Sequence, residues 1–322
     1  MTLAIEAEGL TRRFGRQEVL RGVDLRVAAG SVFALLGPNG AGKSTTINIL
    51  TTLVRPDGGR ARVAGHDVEH AADAVRARIT LTGQAAAVDE VLTGRENLVM
   101  LARLSGLSAR GAKARTDELL DRFDLAAAAD RRVGTYSGGM RRRLDLGLSL
   151  IVPTEVVFLD EPTTGLDTRS RQELWRIIRE VADAGATVFL TTQYLEEADR
   201  LAARIAVLDG GRVAAEGTPD ELKAQVGGEV VELRGPDDEL LAERPTDGTV
   251  HGLRAAIDEL DRVAASTVAD ARVVLRRPSL DDVFLSITSG AGRALRADAS
   301  DDRRAAEPAH HDHDLVSTKG RP

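Results

Sequence analysis

A glycine-rich loop between an apolar run and a helical pattern constrains the fold more than any other feature. Residues 37–45 directly follow the apolar run at 32–36, and apolar residues at near-helical spacing come after them. The chain order is therefore strand, loop and helix, which is the context of a phosphate-binding loop in an α/β fold. The residues of this loop are Gly37, Pro38, Asn39, Gly40, Ala41, Gly42, Lys43, Ser44 and Thr45.

The chemistry of the loop predicts that it binds a nucleoside triphosphate. Its glycines allow a tight turn that points several N–H groups toward one spot, and the following helix adds the positive end of its dipole. Lys43 supplies a full positive charge for the β- and γ-phosphates, and the Ser44 hydroxyl is a ligand for Mg²⁺. A chance match is the alternative, and the flanking strand and helix argue against it.

Composition narrows the class of protein. The chain has 322 residues, of which 43% are apolar, so we expect about two domains. The net charge is −7, from 43 basic and 50 acidic residues, and this balance gives no indication of nucleic-acid binding. The absence of cysteine excludes disulfides and zinc–thiolate sites. We expect no transmembrane segment and no signal peptide, and hence a cytoplasmic location.

Two acidic residues, Asp160 and Glu161, follow a second apolar run that predicts a buried strand. Ligands of open α/β sheets bind at the carboxyl ends of the strands. A carboxylate at that position holds Mg²⁺, and the next one polarises an attacking water. Adjacent acids after a strand are otherwise commonly the start of a loop. Because a phosphate loop already requires an aspartate that holds the metal, the sequence favours the functional interpretation here.

Three other positions admit both a structural and a functional interpretation. Phe14 is a lone aromatic residue near a turn, which is either part of a core or a surface on which a base stacks. Gln84 follows a short apolar strand and by itself is typical of a solvated loop. Ser137, with Gly138 and Gly139, is a reasonable helix start and also a second cluster of N–H groups for a phosphate.

The remaining pattern of the first 227 residues alternates strands and helices. It predicts a strand at 3–8 and two short strands within 23–36. From 93 to 130 the pattern is helical, and we expect Gly106 and Gly111 to separate two apolar stripes.

A smaller unit is predicted after residue 227. It contains strands at 229–234 and 272–277 around a helix near 251–264, and a last helix that begins at Leu280. The polar residues 291–322 predict a disordered tail. Three histidines lie in this tail and are expected to be solvated rather than metal-bound: His310, His311 and His313.

Together these motifs resemble the ATP-binding subunit of an ATP-binding-cassette (ABC) transporter, over about residues 3–225. Residues 37–44 match the Walker A loop and residues 156–160 the Walker B strand. The other matches, in chain order, are the adenine-stacking aromatic at Phe14, the Q-loop at Gln84, the signature motif at Ser137, Gly138 and Gly139, the catalytic glutamate at Glu161, the D-loop at Asp167 and the position of the family's histidine at Gln193.

The resemblance implies a P-loop NTPase core with an antiparallel β subdomain and a helical subdomain. We expect an ATP-binding domain at 1–227, with the helical subdomain at about 85–152. An accessory domain at 228–290 resembles that of daunorubicin-type drug exporters. The implied cofactors are ATP and Mg²⁺, with a metal site formed by Ser44, Gln84 and Asp160. The implied catalytic residues are Lys43, Glu161 and Gln193.

The implied function is ATP hydrolysis that powers a separate membrane permease in drug or antibiotic export. The expected partners are that permease and a second copy of the chain, with ATP between the two copies in a head-to-tail dimer. The subunit would lie at the cytoplasmic face of the membrane as a peripheral protein and bind no nucleic acid.

Three residues depart from the family's pattern. Tyr136 stands where leucine is usual, Phe14 replaces the commoner tyrosine, and Gln193 replaces histidine. The first two keep a bulky apolar group or a ring face. A glutamine still donates a hydrogen bond but cannot become charged. The substitution therefore leaves the rate of hydrolysis undetermined, whereas the prediction of ATP binding is unaffected.

The main alternative is an ABC ATPase that acts in translation or regulation, although that class typically has two cassettes in one chain. A DNA-maintenance ATPase would need a long coiled-coil insertion between the two phosphate motifs. A plain P-loop nucleotide switch would lack the signature at 137–139.

Overall fold

The computed structural model describes residues 2–83, 87–264 and 271–288. Its elements, in chain order, are β1 (Leu3–Phe14), β2 (Gln17–Ala28), β3 (Val32–Leu36), α1 (Lys43–Leu50), β4 (Gly58–Val63), β5 (His66–Asp67), α2 (Ala72–Arg76), β6 (Ile79–Thr82), α3 (Gly94–Leu104), α4 (Ala109–Arg122), α5 (Gly138–Ser149), β7 (Val156–Asp160), α6 (Thr168–Asp183), β8 (Thr187–Thr192), α7 (Leu195–Leu201), β9 (Arg204–Asp209), β10 (Arg212–Gly217), α8 (Pro219–Ala224), β11 (Glu229–Arg234), β12 (Leu240–Thr246), α9 (Val250–Ala264), β13 (Arg272–Arg276) and α10 (Leu280–Thr288).

A six-stranded sheet, in the order β10-β9-β3-β8-β7-β6, forms the centre of the fold. All of its strands except the antiparallel β10 run parallel to their neighbours. Every residue of β3, β7 and β8 is buried, which explains why β3 is apolar throughout and why β7 and β8 each contain an apolar run. Ala34 and Leu36 face one apolar cluster and Phe33 and Leu35 the other, so the sheet is covered on both sides. This confirms the predicted α/β class.

The antiparallel sheet β2-β1-β4-β5 covers one face together with α1. On this side the Phe33 ring stacks on Phe189 with 5.5 Å between the ring centroids. Strands β1 and β2 are longer than the predicted segments, and each has 12 residues. Several register shifts between them interrupt the two-residue alternation, so the pattern at 3–8 is only part of the strand.

The helices α3, α4 and α5 belong to the apolar cluster on the other face. Gly106 follows the end of α3 with a φ of 88°, which confirms that it separates the two helices. The prediction for Gly111 is wrong. It lies in the first turn of α4 and donates its N–H to the Ser108 hydroxyl at 3.1 Å, so it belongs to the helix cap.

A three-stranded antiparallel sheet, β12-β11-β13, follows the main sheet in the chain, and α9 packs on it around Val231, Leu233 and Leu260. The sequence did not predict β12. This strand lies at the edge of the sheet and contains Pro245, which the alternation pattern treats as a strand breaker.

The last helix, α10, packs against α7 and α8 rather than α9. Its residues Leu280, Val283 and Ile287 are buried in the same apolar cluster as Leu201 and Leu222. Helix α10 therefore packs the end of the described chain against α7 and α8, two helices that belong to the part of the fold built on the six-stranded sheet. Within residues 2–83, 87–264 and 271–288, no helix has the length and apolar character needed to cross a membrane.

Replacing Leu280 with alanine tests this packing. Because Leu280 is 3% exposed, Leu280→Ala should lower the free energy of unfolding by about 2–5 kcal/mol, as measured by urea denaturation. Leu285→Ala on the same helix is the control, since Leu285 is 64% exposed and its loss should change stability by under about 0.5 kcal/mol. Equal losses would show that α10 is not docked as described.

Candidate nucleotide-binding site

The glycine-rich loop lies between β3 and α1, and its backbone approaches neighbouring strands too closely for side chains. A Cβ on Gly37 would lie 2.4 Å from the Leu208 carbonyl oxygen, and one on Gly42 would lie 2.5 Å from a Leu20 methyl. Gly42 is also the N-cap of α1, with a φ of 109°. These contacts explain why both positions are glycine, and they leave the N–H groups at the start of α1 available to an anion.

Lys43 is buried, with 4% of its surface exposed, and its ammonium group lies across the loop. Nζ donates to the Gly37 carbonyl at 2.9 Å and to the Pro38 carbonyl at 3.2 Å. It also pairs with Glu161, at 3.2 Å from Oε1. The lysine thus carries a positive charge into the centre of the loop, where phosphate oxygens would compete for it.

The end of β7 brings Asp160 next to the loop. The Asp160 Oδ1 accepts hydrogen bonds from the Thr191 hydroxyl at 2.6 Å and from the Ser44 hydroxyl at 3.3 Å. The structure therefore joins two of the three predicted metal-binding residues. The third, Gln84, lies outside the described residues.

Glu161 has an unusual backbone for a residue with a long side chain. Its φ is 48°, in the left-handed region, which costs a non-glycine residue about 1–2 kcal/mol. Its N–H donates to the Thr191 carbonyl at 3.2 Å and to the Thr191 hydroxyl at 3.1 Å. This turn directs the Glu161 carboxylate back toward Lys43, so the strain is located at the candidate reaction centre.

A cavity of about 430 Å³ lies beside the loop. It is lined by Gln17, Val19, Asn39, Gly40, Gly42, Lys43, Ser44, Thr45 and Glu161. The predicted loop residues Gly37, Pro38 and Ala41 do not line it; Ala41 is buried in the apolar cluster beneath the loop. Gln17 and Val19 were not predicted, and the only indication in the sequence is their nearness to Phe14.

Phe14 pairs with Gln17 across the β1–β2 hairpin, so it lies near the mouth of the cavity without lining it. The ring is 48% exposed, and the guanidinium carbon of Arg12 lies 4.7 Å from its centroid. This exposure agrees with a stacking surface better than with a core position.

Gln193 follows β8 directly beside the start of the loop, because the Gly37 N–H donates to the Thr192 carbonyl at 3.3 Å. The Gln193 side chain is half-buried, and it has no hydrogen-bond partner among the residues that the structure describes.

The 137–139 segment caps α5 at a different place. The Ser137 hydroxyl accepts the Met140 N–H at 3.2 Å, which confirms the predicted helix start. Gly138 lines a second cavity of about 390 Å³ with Arg141, Glu161 and Leu166. A Cβ on Gly139 would lie 2.4 Å from the Ser170 hydroxyl. No contact joins Ser137 to Lys43 in the described part of the chain.

Two neighbours of this segment are fixed by hydrogen bonds. Asp167 caps α6 by accepting the Ser170 N–H at 2.9 Å, and the bonds from Ser170 lower the pKa of the Asp167 carboxyl. Tyr136, at the position of the usual leucine, is buried, and its hydroxyl donates to the Ala128 carbonyl at 2.7 Å. The buried hydroxyl that tyrosine adds at this position therefore has a hydrogen-bond partner.

Comparisons with known proteins show the family to which this chain belongs. Residues 20–164 match the model of the ABC transporter family. The daunorubicin resistance ATP-binding protein DrrA3 of Streptomyces coeruleorubidus is 50% identical over 95% of this chain and 99% of its own length. The chain belongs to the ATP-binding proteins of ABC transporters.

Two further matches agree with this family. The Nod factor export ATP-binding protein I of Paraburkholderia xenovorans is 40% identical over 88% of this chain and 97% of its own. A solved ATP-binding subunit of an ABC transporter is 30% identical, with a TM-score of 0.62, over 70% of this chain and 93% of that one. The protein is thus a P-loop ATPase that binds ATP and powers a membrane transporter, as the resemblance implied, and the alternative role in translation or regulation gains no support.

One buried carboxyl of this ABC ATPase lies four residues after Gln193 in the chain. Glu197, on α7, is fully buried, and its Oε1 accepts the Trp175 indole N–H at 3.0 Å. Burial raises the pKa of Glu197 above the ordinary value of 4.5. The folded protein therefore binds a proton here more tightly than the unfolded chain. The stability contributed by this group falls as the pH rises from the unfolded pKa through the folded one.

Replacing Glu197 with glutamine removes this titration and keeps an oxygen for Trp175. Glu197→Gln should make the protein more stable than the parent at pH 8, and the gain should shrink as the pH falls toward 5. Urea denaturation at pH 5, 6.5 and 8 measures it, and Glu196→Gln, one residue earlier and exposed, controls for removing a carboxylate from α7. A gain that does not vary with pH would contradict the raised pKa.

Proposed function

We propose that the cavity beside the loop binds ATP with its phosphates at Lys43 and its adenine at Phe14. The observation behind this proposal is that Lys43, Ser44 and Glu161 line one cavity, where Lys43 pairs with Glu161 and the Ser44 hydroxyl donates to the Asp160 carboxylate. In this arrangement Lys43 and the loop N–H groups bind the β- and γ-phosphates. The phosphates then take the place of Glu161 at Lys43 and free its carboxylate.

The freed Glu161 would orient and polarise the water that attacks the γ-phosphate. Its left-handed backbone and the two hydrogen bonds to Thr191 hold the carboxylate at the loop before ATP arrives. Gln193, beside the start of the loop, would donate a neutral hydrogen bond to the γ-phosphate in place of the family's histidine. A positioned base of this kind contributes about 10²–10⁴-fold to the rate.

The oxygens at the loop suit Mg²⁺. Ser44 Oγ and Asp160 Oδ1 lie 3.3 Å apart, and a hydroxyl and a carboxylate are the hard ligands that this ion takes together with phosphate oxygens. Within the described residues there is no cluster of three or more His, Cys, Asp or Glu that could hold a metal without substrate. We assign Ser44, Asp160 and Gln84 to this site, where Mg²⁺ would neutralise phosphate charge.

The signature segment would complete the site of a second copy. Ser137, Gly138 and Gly139 form a helix start that makes no contact with Lys43 of their own chain among the described residues, and the Ser137 hydroxyl, which accepts the Met140 N–H, can still donate its own proton. A head-to-tail homodimer would place this helix start against the γ-phosphate held by Lys43 of the partner. ATP would then join the two copies, with Asp167 near their contact, and hydrolysis would release them.

The relatives' names suggest the transported class. One is a daunorubicin resistance ATP-binding protein and another a Nod factor export ATP-binding protein, so we propose drug or antibiotic export through a separate permease. The subunit would lie at the cytoplasmic face of the membrane. We propose residues 1–227 as the ATP-binding domain, with the helical subdomain at about 85–152, and 228–290 as an accessory domain. The predicted tail at 291–322 lies outside the described residues.

Replacing Glu161 with glutamine separates ATP binding from hydrolysis. Glu161→Gln should bind ATP and lower turnover by about a hundredfold or more, because the amide keeps the shape of the side chain and loses the base. ATP should then hold two copies together, which size-exclusion chromatography with ATP and Mg²⁺ detects as a dimer.

The double variant Lys43→Ala, Glu161→Gln is the control. It should stay monomeric under the same conditions, since the phosphates lose the buried cation of the loop. Normal turnover in Glu161→Gln would contradict the role of Glu161, and a dimer that forms equally without ATP would contradict the role of the nucleotide.

A further inference from the structure

Arg12 lies two residues before Phe14 on β1, and its side chain covers one face of the Phe14 ring. The guanidinium carbon is 4.7 Å from the ring centroid, within the range of a cation–π contact. The ring is nevertheless 48% exposed, so Arg12 leaves much of its surface open. Exposed side chains change rotamer within picoseconds to nanoseconds, and a contact of this kind favours one orientation of the ring.

The turn between α1 and β4 holds the Arg12 guanidinium in place. Nη1 donates to the Asp57 Oδ1 at 2.7 Å and to the Arg55 carbonyl at 2.9 Å. The second Asp57 oxygen accepts the Arg13 N–H at 2.6 Å, and the Asp57 N–H donates to the Thr11 carbonyl at 2.9 Å. Asp57 therefore bonds the Arg12 side chain and also the backbone of β1 on both sides of Arg12.

The turn that holds Arg12 and the nucleotide cavity lie on opposite sides of β1. In the antiparallel sheet, β1 runs between β2 and β4. Asp57 directly precedes β4, whereas the cavity-lining residues Gln17 and Val19 belong to β2. The guanidinium is thus held from the β4 side, which leaves the ring face on the β2 side for a base at the cavity.

We propose that Arg12 and Asp57 are positioning residues that hold the Phe14 ring in the orientation that stacks on the adenine of ATP. The proposal rests on the proposed function of Phe14 as the stacking surface. Stacking on an aromatic ring strengthens the binding of a base about five- to 150-fold. A ring that is already oriented loses less conformational freedom when the base arrives, so more of this gain appears as affinity.

Arg12→Ala tests the proposal by comparing ATP with tripolyphosphate, which carries the phosphates without the base. The variant should raise the Kd for ATP about three- to tenfold, because the ring is no longer held in one orientation. The Kd for tripolyphosphate should stay within about twofold of the parent's, since Lys43 and the loop N–H groups are unchanged. Isothermal titration calorimetry with Mg²⁺ measures both constants.

Arg13→Ala is the matched control on the next residue. It removes the same charge from an exposed side chain and keeps the backbone N–H that bonds Asp57. Both of its dissociation constants should stay within about twofold of the parent's.

Asp57→Asn is a second variant that acts on the same contact. An amide has one acceptor oxygen where the carboxylate accepts with both, so one of the bonds to Arg12 and Arg13 is lost. The Kd for ATP should rise at least twofold and that for tripolyphosphate should not. Thermal unfolding checks each variant, and Asp57→Asn replaces Arg12→Ala if the latter does not fold.

A cycle with Phe14→Ala separates an action through the ring from general destabilisation. Phe14→Ala alone should raise the Kd for ATP about fivefold or more. On that background Arg12→Ala should change the Kd by under about twofold, because no ring remains to be positioned.

Four results would overturn the proposal: an ATP Kd in Arg12→Ala equal to or below the parent's, an equal loss of tripolyphosphate affinity, equal losses in Arg13→Ala, or losses that multiply in the double variant. Unchanged ATP affinity in Phe14→Ala would contradict the proposed position of the adenine, and the proposal would fail with it. If Phe14→Ala is impaired and Arg12→Ala is not, only the role of Arg12 and Asp57 is contradicted.

Discussion

Strands β3, β8 and β7 run parallel and end at the same edge of the sheet, where their last polar groups are buried and must bond to one another. The Gly37 N–H donates to Thr192, and the Glu161 N–H donates to Thr191. The Thr191 hydroxyl in turn donates to Asp160. Because an unpaired buried polar group costs about 1–3 kcal/mol, this network fixes the loop and the two acids before a nucleotide is present. The geometry of the site thus follows from the hydrogen bonds that the polar groups at the strand ends make with one another.

Lys43 shows how this preformed site tolerates a buried cation. Two loop carbonyls and the Glu161 carboxylate surround its ammonium group, so the charge is paired and hydrogen-bonded. Phosphate oxygens offer the same lysine stronger partners and release the carboxylate for catalysis in the proposed mechanism. In the proposed mechanism ATP would replace the Lys43–Glu161 contact, and this exchange would couple nucleotide binding to the release of the Glu161 carboxylate.

Local order along the chain made the central part of the site predictable. A strand, a glycine loop and a helix place Lys43 and Ser44 together, and an acidic pair after a strand must lie at the same sheet edge. Contacts that depend on distant pairing were not predictable. Gln17 joins the cavity through the register of a hairpin whose bulges hide its length. The left-handed backbone of Glu161 likewise follows from Thr191, thirty residues away in sequence.

The proposed composite site is tested most directly by mixing two inactive variants. Lys43→Ala removes the cation of the loop, and Ser137→Asp keeps an N-cap for α5 while placing a negative charge against the partner's γ-phosphate. In a mixed dimer one of the two sites has both residues intact. An equal mixture should therefore recover about a quarter of the parent's ATP turnover, since half of the dimers are mixed. Turnover no higher than the average of the two separate variants would contradict a site completed by a second copy.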